Sequence, residues 1–318
     1  MYSSKVRARV ASLIRNHPVF SYFVLTFAVS WTCALSIAAP QLTRHAPVSK
    51  KTGILMFPAM LLGPSLTGVV LARVVDGTSG IPHLLSRIFR RRVPVRWYAA
   101  LLIPPTLIVG LLFCLERWVS SDYAPNWFVI GIFFGVPAGL IEEIGWTGYV
   151  FPKMRSQNTA LAASILLGVL WGAWHLPVVN YLGTATPHSR HWLSFFLVFT
   201  VAMTAMRVLI CWMYSNTTSV LLAQFMHVSS TGSLVVFSAP RVTAAQEVMW
   251  YGIYGALLWL VVALIVARGD WRGRRRRFER GDLCAYYKGN VESLTERLKV
   301  DRDLEPGESI ERFAKRDE

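Results

Sequence analysis

The sequence repeats a mainly apolar run of about 20 residues, the length at which a helix crosses the hydrocarbon core of a bilayer. With 53% hydrophobic residues, the chain has more apolar surface than a soluble domain of 318 residues can cover. We therefore predict an all-α fold, a polytopic transmembrane helical bundle of about eight spans. The predicted spans are Val19–Ala39, Ile54–Val75, Trp97–Glu116, Trp127–Val150, Ala160–Tyr181, Trp192–Tyr214, Ser219–Ser238 and Val248–Ala267.

The basic residues predict how these spans are oriented. The net charge of +15 is concentrated in the amino terminus, in "RIFRRRVPVR" between the second and third spans, and in "RGDWRGRRRRFER" after the eighth. The connections that alternate with these segments are poorer in Lys and Arg. Since positive loops stay on the cytoplasmic side, both termini are predicted to be cytoplasmic.

Three segments follow from this pattern: a cytoplasmic basic N-terminus at residues 1–18, a transmembrane helical domain at 19–267 and a charged cytoplasmic tail at 268–318. The first apolar run is longer than a cleaved signal peptide needs, so we interpret it as a span. The polybasic stretches beside spans predict contact with anionic lipid, and no nucleic-acid partner is expected. We predict an integral, multi-pass protein of the cell membrane, and the sequence gives no indication of its oligomeric state.

Ionisable residues stand inside several predicted spans. A charged residue at the centre of a span costs about 2.5–3.5 kcal/mol on insertion scales, so the adjacent Glu142 and Glu143 must gain something in the folded bundle. At 1.5 Å per residue, Glu142 lies about 12 Å from the predicted cytoplasmic end of the fourth span, His175 roughly 18–22 Å along the fifth and His227 roughly 12–15 Å along the seventh. Because three helices carry ionisable groups to a similar depth, we predict a shared polar cavity.

The two glutamates are expected to have different tasks. Neighbouring residues on a helix point about 100° apart, so one carboxylate can act while the other supports it. Carboxylates this close resist being ionised together, which suits one of them to general-base chemistry. The alternative is a buried structural ion pair, for which Arg207 in the sixth span is the best cation.

Residues near the two histidines add to this cavity. Pro177 lacks a backbone N–H and clashes with the carbonyl of Ala173, which loosens the helix beside His175. His227 and Thr231 are four residues apart, so they share one helical face and can present two hydrogen-bond donors to one oxygen atom.

In order and spacing, these motifs resemble the CAAX-protease and bacteriocin-processing (CPBP) family of intramembrane endopeptidases, which includes the type II CAAX prenyl protease. The family pattern is E-E-x-x-x-R, then F-x-x-x-H, then H-x-x-x-N or a similar third motif. Here the corresponding sequences are "EEIGWT" at Glu142–Thr147, "WGAWH" at Trp171–His175 and "HVSST" at His227–Thr231. The resemblance covers about residues 61–238 of the protease-like transmembrane domain.

The resemblance implies an intramembrane endopeptidase whose substrate is a membrane-associated, CAAX-like lipidated protein. It implies that Glu142 activates the attacking water and that His175 positions this water or shares its proton. It further implies that His227 stabilises the oxyanion and that Glu143 orients its neighbours. Such chemistry needs no serine or cysteine nucleophile.

The sequence departs from the family pattern at three positions: Trp171 replaces the usual Phe, Thr147 the usual Arg and Thr231 the usual Asn. Thr231 keeps one hydrogen-bond donor, but Thr147 cannot replace a charge. We expect Arg207 to supply part of that charge.

Other readings stay open at this point. Two carboxylates and two imidazoles also match the ligands of zinc, so a metal held by Glu142, His175 and His227 is an alternative to the favoured site without a cofactor. The chain is alternatively an inactive relative that acts as a scaffold or bacteriocin-immunity protein. More distantly, intramembrane Glu and His would serve a proton-coupled transporter.

Overall fold

The computed structural model describes residue 9 and residues 11–182 and 189–269, and this part of the chain is helical without a strand. A short helical stretch at residues 11–16 precedes ten helices, which we number in chain order. They are α1 Pro18–Leu42, α2 Lys50–Val75, α3 Gly80–Ile88, α4 Arg96–Trp118, α5 Val129–Arg155, α6 Ala160–Trp174, α7 Leu176–Leu182, α8 Trp192–Thr217, α9 Val220–Val236 and α10 Ala244–Ala267.

Six of these helices are long and apolar enough to cross a membrane, namely α1, α2, α4, α5, α8 and α10. Two shorter apolar helices, α6 with 15 residues and α9 with 17, occupy the remaining predicted positions. The chain is therefore an all-α, multi-pass integral membrane protein, as the sequence predicts. The number of spans and the cytoplasmic position of the termini stay predictions.

Most of the predicted basic ends lies outside the described residues. At the amino terminus this holds for residues 1–8 and 10, and at the carboxyl terminus for residues 270–318 of the predicted tail, which include the Arg274–Arg277 run.

The fifth predicted span is not one helix. Helix α6 ends at Trp174, and α7 begins at Leu176, so His175 stands between the two. The amide of His175 bonds the carbonyl of Gly172 at 3.2 Å, a tighter turn than an α-helix has. The cause is Pro177, which cannot donate to the preceding turn. The break places His175 at the end of a helix instead of within one.

Glycines bring the helices of the core together. A Cβ atom at Gly135 of α5 would lie 2.5 Å from the backbone nitrogen of Gly232 in α9, and one at Gly139 would lie 2.7 Å from the carbonyl oxygen of Gln224. Similarly, Gly168 of α6 packs on the backbone of Thr204 in α8. Since only glycine permits these approaches, α5, α6, α8 and α9 can place their polar side chains side by side.

Candidate active site

Glu143 lies at the centre of a buried polar cluster. Its side chain is fully buried, and it accepts two hydrogen bonds from Nη1 of Arg207 in α8, at 2.8 and 2.7 Å. Nδ1 of His227 in α9 donates to Oε1 at 2.8 Å, and the hydroxyl of Thr147 donates to Oε2. The second glutamate of the motif is therefore tied to two other helices, α8 and α9, and its charge is matched by a guanidinium.

Arg207 is itself fully buried. Its guanidinium carbon lies 4.1 Å from the centre of the Trp171 ring, a cation–π contact. Its Nε and Nη2 atoms have no hydrogen-bond partner among the described protein atoms. The cation is thus held by one carboxylate and one aromatic face. Arg207 thus lies beside the glutamate pair. There it can supply the positive charge that the sequence lacks at Thr147, where the family pattern has Arg.

Glu142 has a different environment from its neighbour. It is fully buried, and its Oε2 atom accepts hydrogen bonds from two indoles, Trp171 Nε1 at 2.9 Å and Trp146 Nε1 at 3.3 Å. Its Oε1 atom has no partner among the described protein atoms. Neutral donors therefore hold one oxygen of this carboxylate and leave the other as a hydrogen-bond acceptor.

A π-helical turn at Trp146–Val150 interrupts α5 directly after the glutamates. Wider turns of this kind occur often at functional sites. Trp146 and Thr147 open this turn, and each donates to the glutamate four residues before it. The same segment of α5 thus supplies both carboxylates and one donor for each.

His175 is half-buried next to Trp171, the residue that donates to Glu142. Its Nδ1 lies 2.7 Å from the carbonyl oxygen of Trp171. Because a carbonyl only accepts, Nδ1 carries the proton, and Nε2 of the neutral ring is an acceptor. The imidazole is enclosed by aromatic rings whose centres lie 5.0, 4.9 and 5.5 Å away: Trp171, Trp174 and Phe199.

Trp171 is the residue that joins the parts of this site. It bonds Glu142, lies under Arg207, and its ring centre is 5.0 Å from that of His175 and 5.1 Å from that of His227. The structure thus brings together the ionisable residues that the sequence singles out. Sequence reasoning named Trp171 only as the replacement of the usual Phe and did not single out Trp146. A sequence signal existed for both: Trp146 follows Glu142 by four residues, and Trp171 carries an indole N–H where the family has Phe.

Thr231 stands apart from the cluster. It is half-buried one turn beyond His227, and the hydrogen bonds to the two glutamates come from other residues. Among residues 11–182 and 189–269, no three His, Cys, Asp or Glu side chains form a group that could hold a metal ion.

Two comparisons with known proteins show what this chain is similar to. A family described as "Type II CAAX prenyl endopeptidase Rce1-like" matches residues 124–233, a range that contains all three motifs. CAAX prenyl protease 2 of Methanococcus maripaludis is 25% identical over 231 residues, which cover 65% of this chain and 80% of the relative.

Proposed function

We propose that this chain is a CAAX-type intramembrane endopeptidase and that it cleaves its substrate with a water molecule activated by Glu142. The observation that supports this most strongly is the asymmetry of the Glu142 carboxylate. One oxygen is fixed by two indoles, and the other has no partner among the described protein atoms. A general base needs such an oxygen within hydrogen-bond reach of water.

The first step is attack of water on the peptide carbonyl. Glu142 takes a proton from the water through Oε1 as the water oxygen forms a bond to the carbonyl carbon. His175 assists, because its Nδ1–H is occupied by the Trp171 carbonyl and Nε2 can accept a hydrogen bond from the same water. The product of this step is a tetrahedral intermediate with a negative oxygen.

His227 stabilises that oxygen. When its ring carries both protons, Nδ1–H is held by Glu143 and Nε2–H can donate to the oxyanion. Thr231 lies on the next turn of α9, and its hydroxyl is the second donor once substrate is bound. Glu143 acts through His227, whose ring it orients.

Collapse of the intermediate completes the reaction. The C–N bond breaks, and the proton held by Glu142 passes to the leaving nitrogen, so the products are a carboxylic acid and an amine. The acid then gives its remaining proton to Glu142 or to water and leaves as a carboxylate. Arg207 and Thr147 keep Glu143 as a charged acceptor throughout. In this role Arg207 replaces the arginine of the family motif. No step of the proposed reaction uses a metal.

The substrate that we propose is a membrane-associated protein with a lipidated, CAAX-like end, which enters from the cytosolic leaflet. The loop after α3 supports a contact with anionic lipid there. Its Arg90, Arg91 and Arg92 are exposed, and the neighbouring Phe89 keeps 73% of its surface exposed. Cations next to an exposed aromatic ring suit a negatively charged membrane surface.

The test uses the full chain in liposomes with a fluorogenic farnesylated CAAX peptide. Wild-type protein is expected to release the terminal tripeptide, and Glu142→Gln to lose at least about 100-fold in kcat, as expected for general-base catalysis. Glu116→Gln is the matched control, since Glu116 is an exposed glutamate of α4. Cleavage that survives in Glu142→Gln would contradict the proposed base. No cleavage by the wild type of any lipidated peptide would favour an inactive relative.

A further inference from the structure

We propose that Trp146 and Trp171 are positioning residues, whose indole N–H groups fix the rotation of the Glu142 carboxylate so that Oε1 meets the reacting water. This inference rests on the proposed function. It concerns two residues that carry no charge and that the E-E-x-x-x-R and F-x-x-x-H patterns do not require.

The first support is the shared acceptor. Two N–H donors from different helices, Trp146 in α5 and Trp171 in α6, bond the same oxygen of Glu142 at 3.3 and 2.9 Å. The terminal torsion of a glutamate is broad, so an unrestrained carboxylate samples many orientations. Two donors on one oxygen select one of them. The oxygen left over is therefore always the same atom, Oε1.

The second support is the rigidity of the two indoles. Both side chains are buried, with 0% and 1% of their surface exposed. Trp146 packs edge-on against Tyr22 and Trp174, with ring centres 5.4 and 5.8 Å apart. Trp171 is fixed by Arg207 on its face and by two imidazoles at its edges. Donors that do not move hold a carboxylate in place better than flexible polar side chains do.

The third support is chemical. A phenylalanine at position 171 would keep an aromatic surface against Arg207 but has no N–H to donate. The tryptophan thus adds a hydrogen bond to the base itself. This chain differs from the family pattern in two ways near the glutamates. Its cation is Arg207 instead of an arginine at position 147, and Trp171, in place of Phe, donates a hydrogen bond to Glu142.

The kinetic test separates positioning from simple packing. Trp171→Phe and Trp146→Phe are each expected to lower kcat roughly 10-fold with KM changed less than about twofold, because the lost contact acts on the base and not on the substrate. Trp259→Phe is the matched control: its indole donates to the carbonyl of Val201 at 3.2 Å, away from the site. It should keep wild-type kinetics.

A second replacement guards against a variant that fails to fold. Benzothienylalanine at position 171 keeps both fused rings and has sulfur in place of N–H. It should preserve the packing of Trp171 and reproduce the fall in kcat. Unchanged kcat in this protein would overturn the inference.

A spectroscopic measurement tests the hydrogen bonds without reference to activity. In ¹⁵N-indole NMR spectra, the N–H protons of Trp146 and Trp171 should move upfield in Glu142→Ala, while that of Trp259 stays in place. Resonances that do not move would contradict the hydrogen bonds. If they move but kcat is unchanged in both Phe variants, the indoles only satisfy a buried carboxylate. If they move and the wild type cleaves no peptide, the proposed function fails and with it the catalytic purpose of the indoles.

Discussion

Arg207 binds Glu143 through a single nitrogen, Nη1, which lies 2.8 and 2.7 Å from the two carboxylate oxygens. Both side chains are fully buried, so neither charge is solvated by bulk water. Removing one partner of a buried pair costs about 3–5 kcal/mol, because the other charge is left without compensation. Several predictions concern this arrangement and the helices that hold it.

Arg207→Ala should destabilise the protein by about 3–5 kcal/mol and abolish cleavage, since it leaves Glu143 buried without its cation. Thermal unfolding in detergent and the liposome cleavage assay measure the two effects. Arg117→Ala removes an exposed arginine of α4 and is the control. If Arg207→Ala retained full activity, Arg207 would not be the substitute for the arginine of the motif.

Thr147→Arg tests that substitution in the opposite direction. Alone, it should lower stability, because it forces a second cation and a larger side chain into a fully buried position. Combined with Arg207→Leu, it should recover part of the stability and activity that Arg207→Leu loses. Measured effects that simply add would show that the two positions do not share one carboxylate.

Pro177→Ala should let α6 and α7 join, because the new N–H can bond the carbonyl of Ala173. The imidazole of His175 would then lose its present position beside Trp171. We expect about a 10-fold lower kcat without loss of thermal stability. Pro40→Ala, inside α1, is the matched control. Full activity in Pro177→Ala would show that the break in the helix does not position His175.

Gly139→Ala should separate α5 from α9. The added Cβ would lie 2.6 Å from Cγ2 of Val228 and 2.7 Å from the carbonyl oxygen of Gln224, so α9 must shift with His227. Overpacking of this kind costs about 1–3 kcal/mol. A Cβ at Gly110 would meet nothing within 4 Å, so Gly110→Ala should be neutral. Unfolding midpoints and cleavage rates compare the two variants.

Cleavage by purified protein should survive incubation with EDTA or 1,10-phenanthroline, as expected for a water activated by a carboxylate alone. Wild-type protein without chelator is the reference. Loss of activity that added zinc restores would instead favour the metal alternative, with Glu142, His175 and His227 as ligands.

The sequence predicts the helices well because membrane spans are defined by length and hydrophobicity. It also singles out Glu142, His175 and His227, since ionisable groups are conspicuous in apolar runs. It names Arg207 as the cation but does not predict that Glu143 is the carboxylate it pairs with, because that depends on how α5 and α8 are rotated against each other. Likewise, the contacts of Trp146 and Trp171 follow from packing, and twelve tryptophans give no sequence-level reason to choose these two.

The π-helical turn at Trp146–Val150 makes the spacing of α5 as important as its residues. Such a turn holds one residue more than an α-helical turn, which rotates everything after it by about 100°. Deleting a single amino acid here would swing the carboxyl-terminal end of α5, including Lys153 and Arg155, onto another side of the helix while the glutamates stayed where they are. Through this stretch, evolution can exchange side chains more readily than it can shorten or lengthen the chain.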